Sequence, residues 1–149
     1  MTTLKTGDKA PDFSIPNQNG NIVSLSDFKG KKLVLFFYPK ASTPGCTAEA
    51  CNLRDNVDRF RESGYEILGA SADSPKRQSN FKEKYELPYD LLADEDHKLL
   101  NAYQVWGPKK FMGKEYDGIH RTTFVIDENA VITDVISKVK TKEHAEQIL

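Results

Sequence analysis

Cysteine is scarce in this chain: two residues of 149, accompanied by two methionines, one tryptophan and three histidines. So few thiols exclude the disulfide framework of a small secreted domain. A structural zinc site wants four ligands, and His97, His120 and His144 are scattered without ligand spacing to Cys46 and Cys51. Charge of one sign is missing as well. The 21 Lys+Arg against 22 Asp+Glu leave a net charge of −1, no footprint for nucleic acid or an anionic membrane surface. No window reaches the ~20 apolar residues of a membrane-spanning helix. The opening Met1-Thr2-Thr3-Leu4-Lys5-Thr6-Gly7-Asp8 has no apolar signal-peptide region. The expectation is a cytoplasmic protein without nucleic-acid, membrane or metal partners. Repeats and linkers are absent too, and the length suits a single domain over 1–149, since domains cluster near ~100–150 residues.

What is present is a strand–helix alternation. Phe13-Ser14-Ile15 and Ile22-Val23-Ser24-Leu25 flank Asn17-Gln18-Asn19-Gly20 and predict an N-terminal hairpin. Residues 33–38, Leu-Val-Leu-Phe-Phe-Tyr, form an apolar run without alternation, as in a central strand covered on both faces, and Pro39 stops it. From 44 to 63 the period is helical, with Ala50, Leu53, Val57 and Phe60 on one stripe and Gly64 at the C-cap. Residues 65–72 read as a strand, and Ser74-Pro75 starts a helix to about Tyr85. A short strand follows at 91–93, then a helix over 97–103 capped by Asp94, then a loop over 107–118. Residues 122–126 and 131–136 make a hairpin across Asp127-Glu128-Asn129-Ala130, and Thr141 caps a last helix. This order gives an α/β fold with a central mixed β-sheet flanked by helices, a thioredoxin-like layout. Its parallel part pairs 33–38 with 65–72, and its antiparallel part is the 122–136 hairpin. Such a fold hosts many functions, so the site must decide.

Cys46 stands where the buried strand ends and the helix begins, in Phe37-Tyr38-Pro39-Lys40-Ala41-Ser42-Thr43-Pro44-Gly45-Cys46. Free backbone N–H groups at a helix start favour a thiolate over a thiol. An inert cysteine is expected instead on the apolar stripe with Leu53 and Val57. Cys51 follows five residues later, which on a helix separates the α-carbons by roughly 8–9 Å, whereas a disulfide needs less than about 7 Å. Either the two never bond, or the helix unwinds. The C-x4-C spacing also differs from the C-x-x-C of thiol–disulfide exchangers.

Pro39-x-x-x-Thr43-x-x-Cys46 resembles the peroxiredoxin active-site motif. The longer string from Phe37 through Thr47-x-Glu49-Ala50-Cys51 is similar to the bacterioferritin comigratory protein/peroxiredoxin Q branch. Gly7-Asp8-Lys9-Ala10-Pro11-Asp12-Phe13 is like the family's opening, and Gly118-Ile119-x-Arg121-x-Thr123-Phe124-Val125-Ile126-Asp127 is like its later strand. The resemblance implies a peroxidase without metal, haem or flavin. In it Cys46 is the peroxidatic thiolate, Thr43 hydrogen-bonds the peroxide, Arg121 stabilises thiolate and departing oxygen, Pro39 shields the sulfur and Glu49 orients Arg121. Cys51 resolves the sulfenic acid as an intrachain disulfide, with a thioredoxin-like dithiol as reductant and a monomer as the working unit. Tyr38, Trp106 and Met112 are candidates for the substrate pocket. Two alternatives stay open: a general thiol–disulfide oxidoreductase, and a redox-switched interaction protein.

Overall fold

The computed structural model describes residues 2–149. The non-alternating run becomes β3 (Lys32–Phe37), buried from Leu33 onward. Successive strand side chains leave on opposite faces. Leu33, Leu35 and Phe37 therefore join Leu68, Tyr103, Phe124 and Ile126 in one core cluster. Val34, Phe36 and Tyr38 join Cys46, Ala50, Leu53, Phe60 and Phe81 in the other. A strand buried on both sides has no solvent face to keep polar, which is why its sequence lacks alternation.

Around β3 the sheet is mixed. β4 (Tyr65–Ser71) runs parallel to it, from Lys32 opposite Tyr65 to Phe37 opposite Ala70. β8 (Thr122–Ile126) runs antiparallel on its other side, with Phe37 opposite Thr122. β5 (Asp90–Ala93) pairs parallel with β4, and β9 (Ile132–Ile136) antiparallel with β8. The five strands are ordered β5-β4-β3-β8-β9. β1 (Ser14–Pro16) and β2 (Ile22–Ser24) form the expected N-terminal hairpin. Gly69 in β4 is a packing requirement: a Cβ there would meet Leu91 Cδ2 at 2.7 Å and Phe36 Cζ at 2.9 Å.

Three elements differ from the sequence expectation. The helix over 44–63 is two helices, α1 (Pro44–Asp55) and α2 (Val57–Glu62), parted at Asn56 with φ −112° and ψ 13°. Asn56 Nδ2 donates to the Asn52 carbonyl at 2.8 Å, so its side chain competes with the backbone ladder there. Ala50, Leu53 and Phe60 stay buried across the break. Residues 107–118 are not a loop. They belong to a hairpin of β6 (Trp106–Phe111) and β7 (Lys114–Ile119), closed by Met112 at φ 52° and Gly113 at φ 79°. A two-residue hairpin turn wants positive φ at both centres, usually signalled by Asn-Gly or Asp-Gly; methionine in that place conceals it. The last helix, α5 (His144–Ile148), begins after Glu143 rather than Thr141.

α3 (Pro75–Lys84) starts as expected, Ser74 Oγ accepting the Arg77 N–H at 3.2 Å. Asp94 Oδ2 accepts the Leu100 N–H at 2.8 Å inside α4 (Lys98–Ala102). Among the described residues no helix is long and apolar enough to cross a membrane.

Candidate active site

α1 begins with Thr43 as N-cap and Pro44 in its first turn, and Cys46 follows two residues on. Its side chain is 0% exposed. The expectation that a reactive cysteine would leave the apolar stripe is thus corrected: Cys46 sits one turn before Ala50, in the same cluster as Leu53 and Phe60. What distinguishes it is a cation. Arg121, in the turn between β7 and β8, donates from Nη2 to Cys46 Sγ at 3.3 Å and from Nη1 to Glu49 Oε1 at 2.7 Å. Gly45 allows this approach, since a Cβ there would lie 3.2 Å from Nη2. The planar guanidinium bridges sulfur and carboxyl with two fixed donors, which a lysine could not do.

Glu49 lies one turn beyond Cys46 and is fully buried. Burial pushes its carboxyl up to about 7, against the opposing charge and hydrogen bond of Arg121. Burial in turn draws Arg121 down, but the Glu49 and Cys46 charges outweigh it and leave the guanidinium raised. Among the described residues Glu49 Oε2 has no hydrogen-bond partner. His144 Nε2 stands 3.4 Å from it and is engaged instead by Thr123 Oγ1 at 2.7 Å.

The chain leading into α1 is held from the side. Thr43 Oγ1 donates to the Lys40 carbonyl at 2.8 Å, so toward any further partner it offers lone pairs. Pro39 is half-buried at the strand exit. Ser42 takes a left-handed φ of 65°. The Ala41 N–H reaches Asp73 Oδ2 at 2.8 Å, and Ser71 Oγ donates to the same oxygen at 2.7 Å. Gln78 links this carboxylate to the strand end: its Nε2 donates to Ser71 Oγ at 2.9 Å, and its Oε1 accepts from Tyr38 Oη.

Of the three pocket candidates, Tyr38 shares the Cys46 cluster and the other two lie away from it. Tyr38 is fully buried, its hydroxyl spent on Gln78. Trp106 stacks on His97 with ring centroids 4.1 Å apart and packs against the cluster on the other face of the sheet from Cys46. Met112, 87% exposed, is at the hairpin tip. A groove of about 650 Å³ lies near Leu33 and Ile126 at the opposite end of β3 and includes neither Cys46 nor Arg121. Cys51 is half-buried further along the same unbroken helix, and both thiols are free. Burial pushes the Cys51 thiol up, with Arg54 opposing.

Sequence reasoning brought together Pro39, Thr43, Cys46, Glu49 and Arg121 but missed Asp73, Gln78 and His144. Gln78 and His144 stand in mostly polar helices and Asp73 in the turn before α3, so polarity does not single them out and only their burial does. Among the described residues no group of three or more His, Cys, Asp or Glu could hold a metal ion.

A buried thiol at a helix start, held by a guanidinium on a mixed thioredoxin-like sheet, is the arrangement of a thiol peroxidase. Residues 6–135 match the model of the AhpC/TSA family. Over all 149 residues the chain is 50% identical to peroxiredoxin Bcp of Escherichia coli, covering 96% of that protein. It is 48% identical over 147 residues to peroxiredoxin Bcp of Bacillus subtilis, covering 99% of this chain and 94% of that one. Xanthomonas campestris peroxiredoxin Q superposes with a TM-score of 0.88 at 33% identity, covering 99% of this chain and 93% of the other. The chain belongs to the AhpC/TSA family as a peroxiredoxin of the bacterioferritin comigratory protein/peroxiredoxin Q branch.

Proposed function

We propose that this peroxiredoxin reduces hydrogen peroxide and organic hydroperoxides through Cys46, with Cys51 resolving the product. The observation that carries the reading is the two-armed contact of Arg121, one N–H on the sulfur and the other on Glu49. The Cys46 thiolate attacks one peroxide oxygen, the O–O bond breaks, and the departing oxygen leaves as an alcohol or water after taking a proton. Sulfur is oxidised to sulfenic acid and the peroxide reduced. Arg121 stabilises negative charge first on sulfur and then on the departing oxygen. Thr43, its own proton committed to Lys40, accepts from the peroxide hydroxyl. Pro39 covers the sulfur against water.

The second half follows from helix geometry. Cys46 and Cys51 lie on one continuous α1, five residues apart, roughly 8–9 Å between α-carbons. Condensation of the sulfenic acid with the Cys51 thiol, releasing water, therefore requires the first turns of α1 to unwind. A thioredoxin-like dithiol then reduces the disulfide and α1 re-forms. The same separation argues against a general thiol–disulfide oxidoreductase, whose cysteines pair in place. We read the 149 residues as one domain, working as a monomer in the reducing cytoplasm where such a dithiol is available. Supporting a relevant substrate class, an alkyl peroxide reduction activity is named for the Xanthomonas campestris bacterioferritin comigratory protein, a structural relative at TM-score 0.88 and 32% identity.

The test is peroxide consumption with a thioredoxin system. Turnover is expected from the native chain and none from Cys46→Ser; activity that survives this substitution contradicts the proposal.

A further inference from the structure

The Cys46–Arg121–Glu49 line continues to α5. Glu49 Oε2 is buried without a hydrogen-bond partner among the described residues, and His144 Nε2 stands 3.4 Å from it. The tautomer of His144 can be argued from its neighbours. Gln147 Nε2 donates to the Lys138 carbonyl at 3.0 Å, and Gln147 Oε1 accepts the Lys140 N–H at 2.9 Å, which fixes the amide orientation. Oε1 is also 2.8 Å from His144 Nδ1, and an amide oxygen only accepts. His144 Nδ1 therefore carries a proton. In neutral imidazole Nε2 is then a lone pair, satisfied by the Thr123 hydroxyl at 2.7 Å.

The same nitrogen also faces a carboxylate oxygen in a dry interior, which is unfavourable unless one proton is held between them: on Nε2, with Thr123 Oγ1 then accepting, or on Oε2, with the Thr123 hydroxyl turned away from Nε2. With the proton on this side, Oε1 still accepts from Arg121, but Glu49 no longer neutralises the guanidinium. Its charge is left for the sulfur. We propose that His144 is a positioning residue of the peroxidase site: its Nε2 shares one proton with Glu49 Oε2, fixing Oε1 on Arg121 and leaving the guanidinium's charge to Cys46. This inference rests on the peroxidase reading and deepens it.

The other groups facing the pair are Arg121 from the β7–β8 turn, Cys46 from α1, and Tyr89 before β5, whose hydroxyl donates to the Ala50 carbonyl at 2.7 Å. Burial holds Tyr89 protonated. Burial also lowers His144, with the Gln147 hydrogen bond opposing. Docking of α5 is thus tied to the site. Asn52 of α1 reinforces it, accepting the Ala145 N–H at 2.7 Å and donating to the Lys142 carbonyl at 3.0 Å.

Two measurements on the reduced full-length chain test the proposal. In the first, imidazole nitrogen NMR follows His144 against pH in the native chain and in Glu49→Gln. A shared proton means the substitution moves the His144 transition by about one pH unit or more; an unmoved transition overturns the idea. In the second, stopped-flow oxidation by hydrogen peroxide between pH 5.5 and 8.5 compares His144→Leu with His144→Gln. The leucine variant is expected to react about tenfold slower or worse. Glutamine, which offers an amide donor to Oε2 but does not titrate, should stay within about threefold and displace the pH profile of the rate. A leucine variant within about twofold of native, or the two variants equally slow, refutes a positioning role. If the leucine variant does not fold, the glutamine profile and the NMR titration decide. Absence of native turnover would defeat the peroxidase reading alone, since the NMR coupling does not depend on peroxide.

Discussion

The two cysteines share one helix and little else. Cys46 is fully buried, has a guanidinium N–H on its sulfur, and is anchored upstream by a loop tied to Asp73. Cys51 is half-buried, and burial raises its thiol above the ordinary value. One position is organised by charges converging from α1 and the β7–β8 turn; the other is a half-buried thiol further along the same helix. In the proposed cycle a nucleophile and its resolving partner make opposite demands. The first needs a rigid, charged seat, the second needs that seat to come apart.

Breaking this contrast at Cys46 gives the largest effect. Cys46→Ser should abolish peroxide consumption while leaving Cys51 titratable with a thiol reagent. Arg121→Gln should slow sulfur oxidation by about 10²–10³-fold in stopped-flow assays. In urea melts Arg121→Ala should cost about 1–3 kcal/mol. That is less than the penalty for a stranded buried charge, because Glu49, already near 7, takes up a proton instead.

Glu49 sharpens the comparison next. Glu49→Ala should lose about 10–100-fold in oxidation rate, and Glu49→Gln, which keeps both hydrogen-bonding ends, less than about threefold. The pH dependence of stability has a definite sign. The folded-state value of about 7 lies above the ordinary carboxyl value of 4.5, so the folded chain holds this proton more tightly than the unfolded one. The contribution is complete below pH 4.5 and is lost as pH rises through 7. Urea melts at pH 5 and pH 8 should show the native chain losing about 3 kcal/mol relative to Glu49→Gln.

At Cys51 the expected effect on the first step is smallest. Cys51→Ser should leave the first oxidation within about twofold, yet block the intrachain disulfide and thioredoxin-supported turnover. Mass spectrometry after one equivalent of peroxide reads the difference.

The same contrast explains what was legible in the sequence. The strand run 33–38, the helix start at Thr43-Pro44 and the motif around Cys46 are local patterns, and local patterns declare themselves through periodicity and turn chemistry. The Arg121 contact was reachable through family resemblance, because 75 residues separate it from Cys46. His144 and Asp73 had no such signal; their meaning depends on burial and on which lone pair faces which proton. The β6–β7 hairpin was hidden by a methionine in a left-handed turn position, and the break at Asn56 by a side chain that competes with its own backbone. Met112 and Trp106 lie in and beside the segment expected as a loop over 107–118, and the sheet sends one to a hairpin tip and the other to the opposite face.

In the proposed cycle α1 must open for Cys51 to meet Cys46. Hydrogen exchange across residues 46–52, before and after one equivalent of hydrogen peroxide, tests it most directly. The expected result is a protected helix in the reduced chain, and loss of that protection on oxidation together with a Cys46–Cys51 disulfide. A disulfide formed with the helix still protected, or a lasting sulfenic acid beside free Cys51, would contradict it.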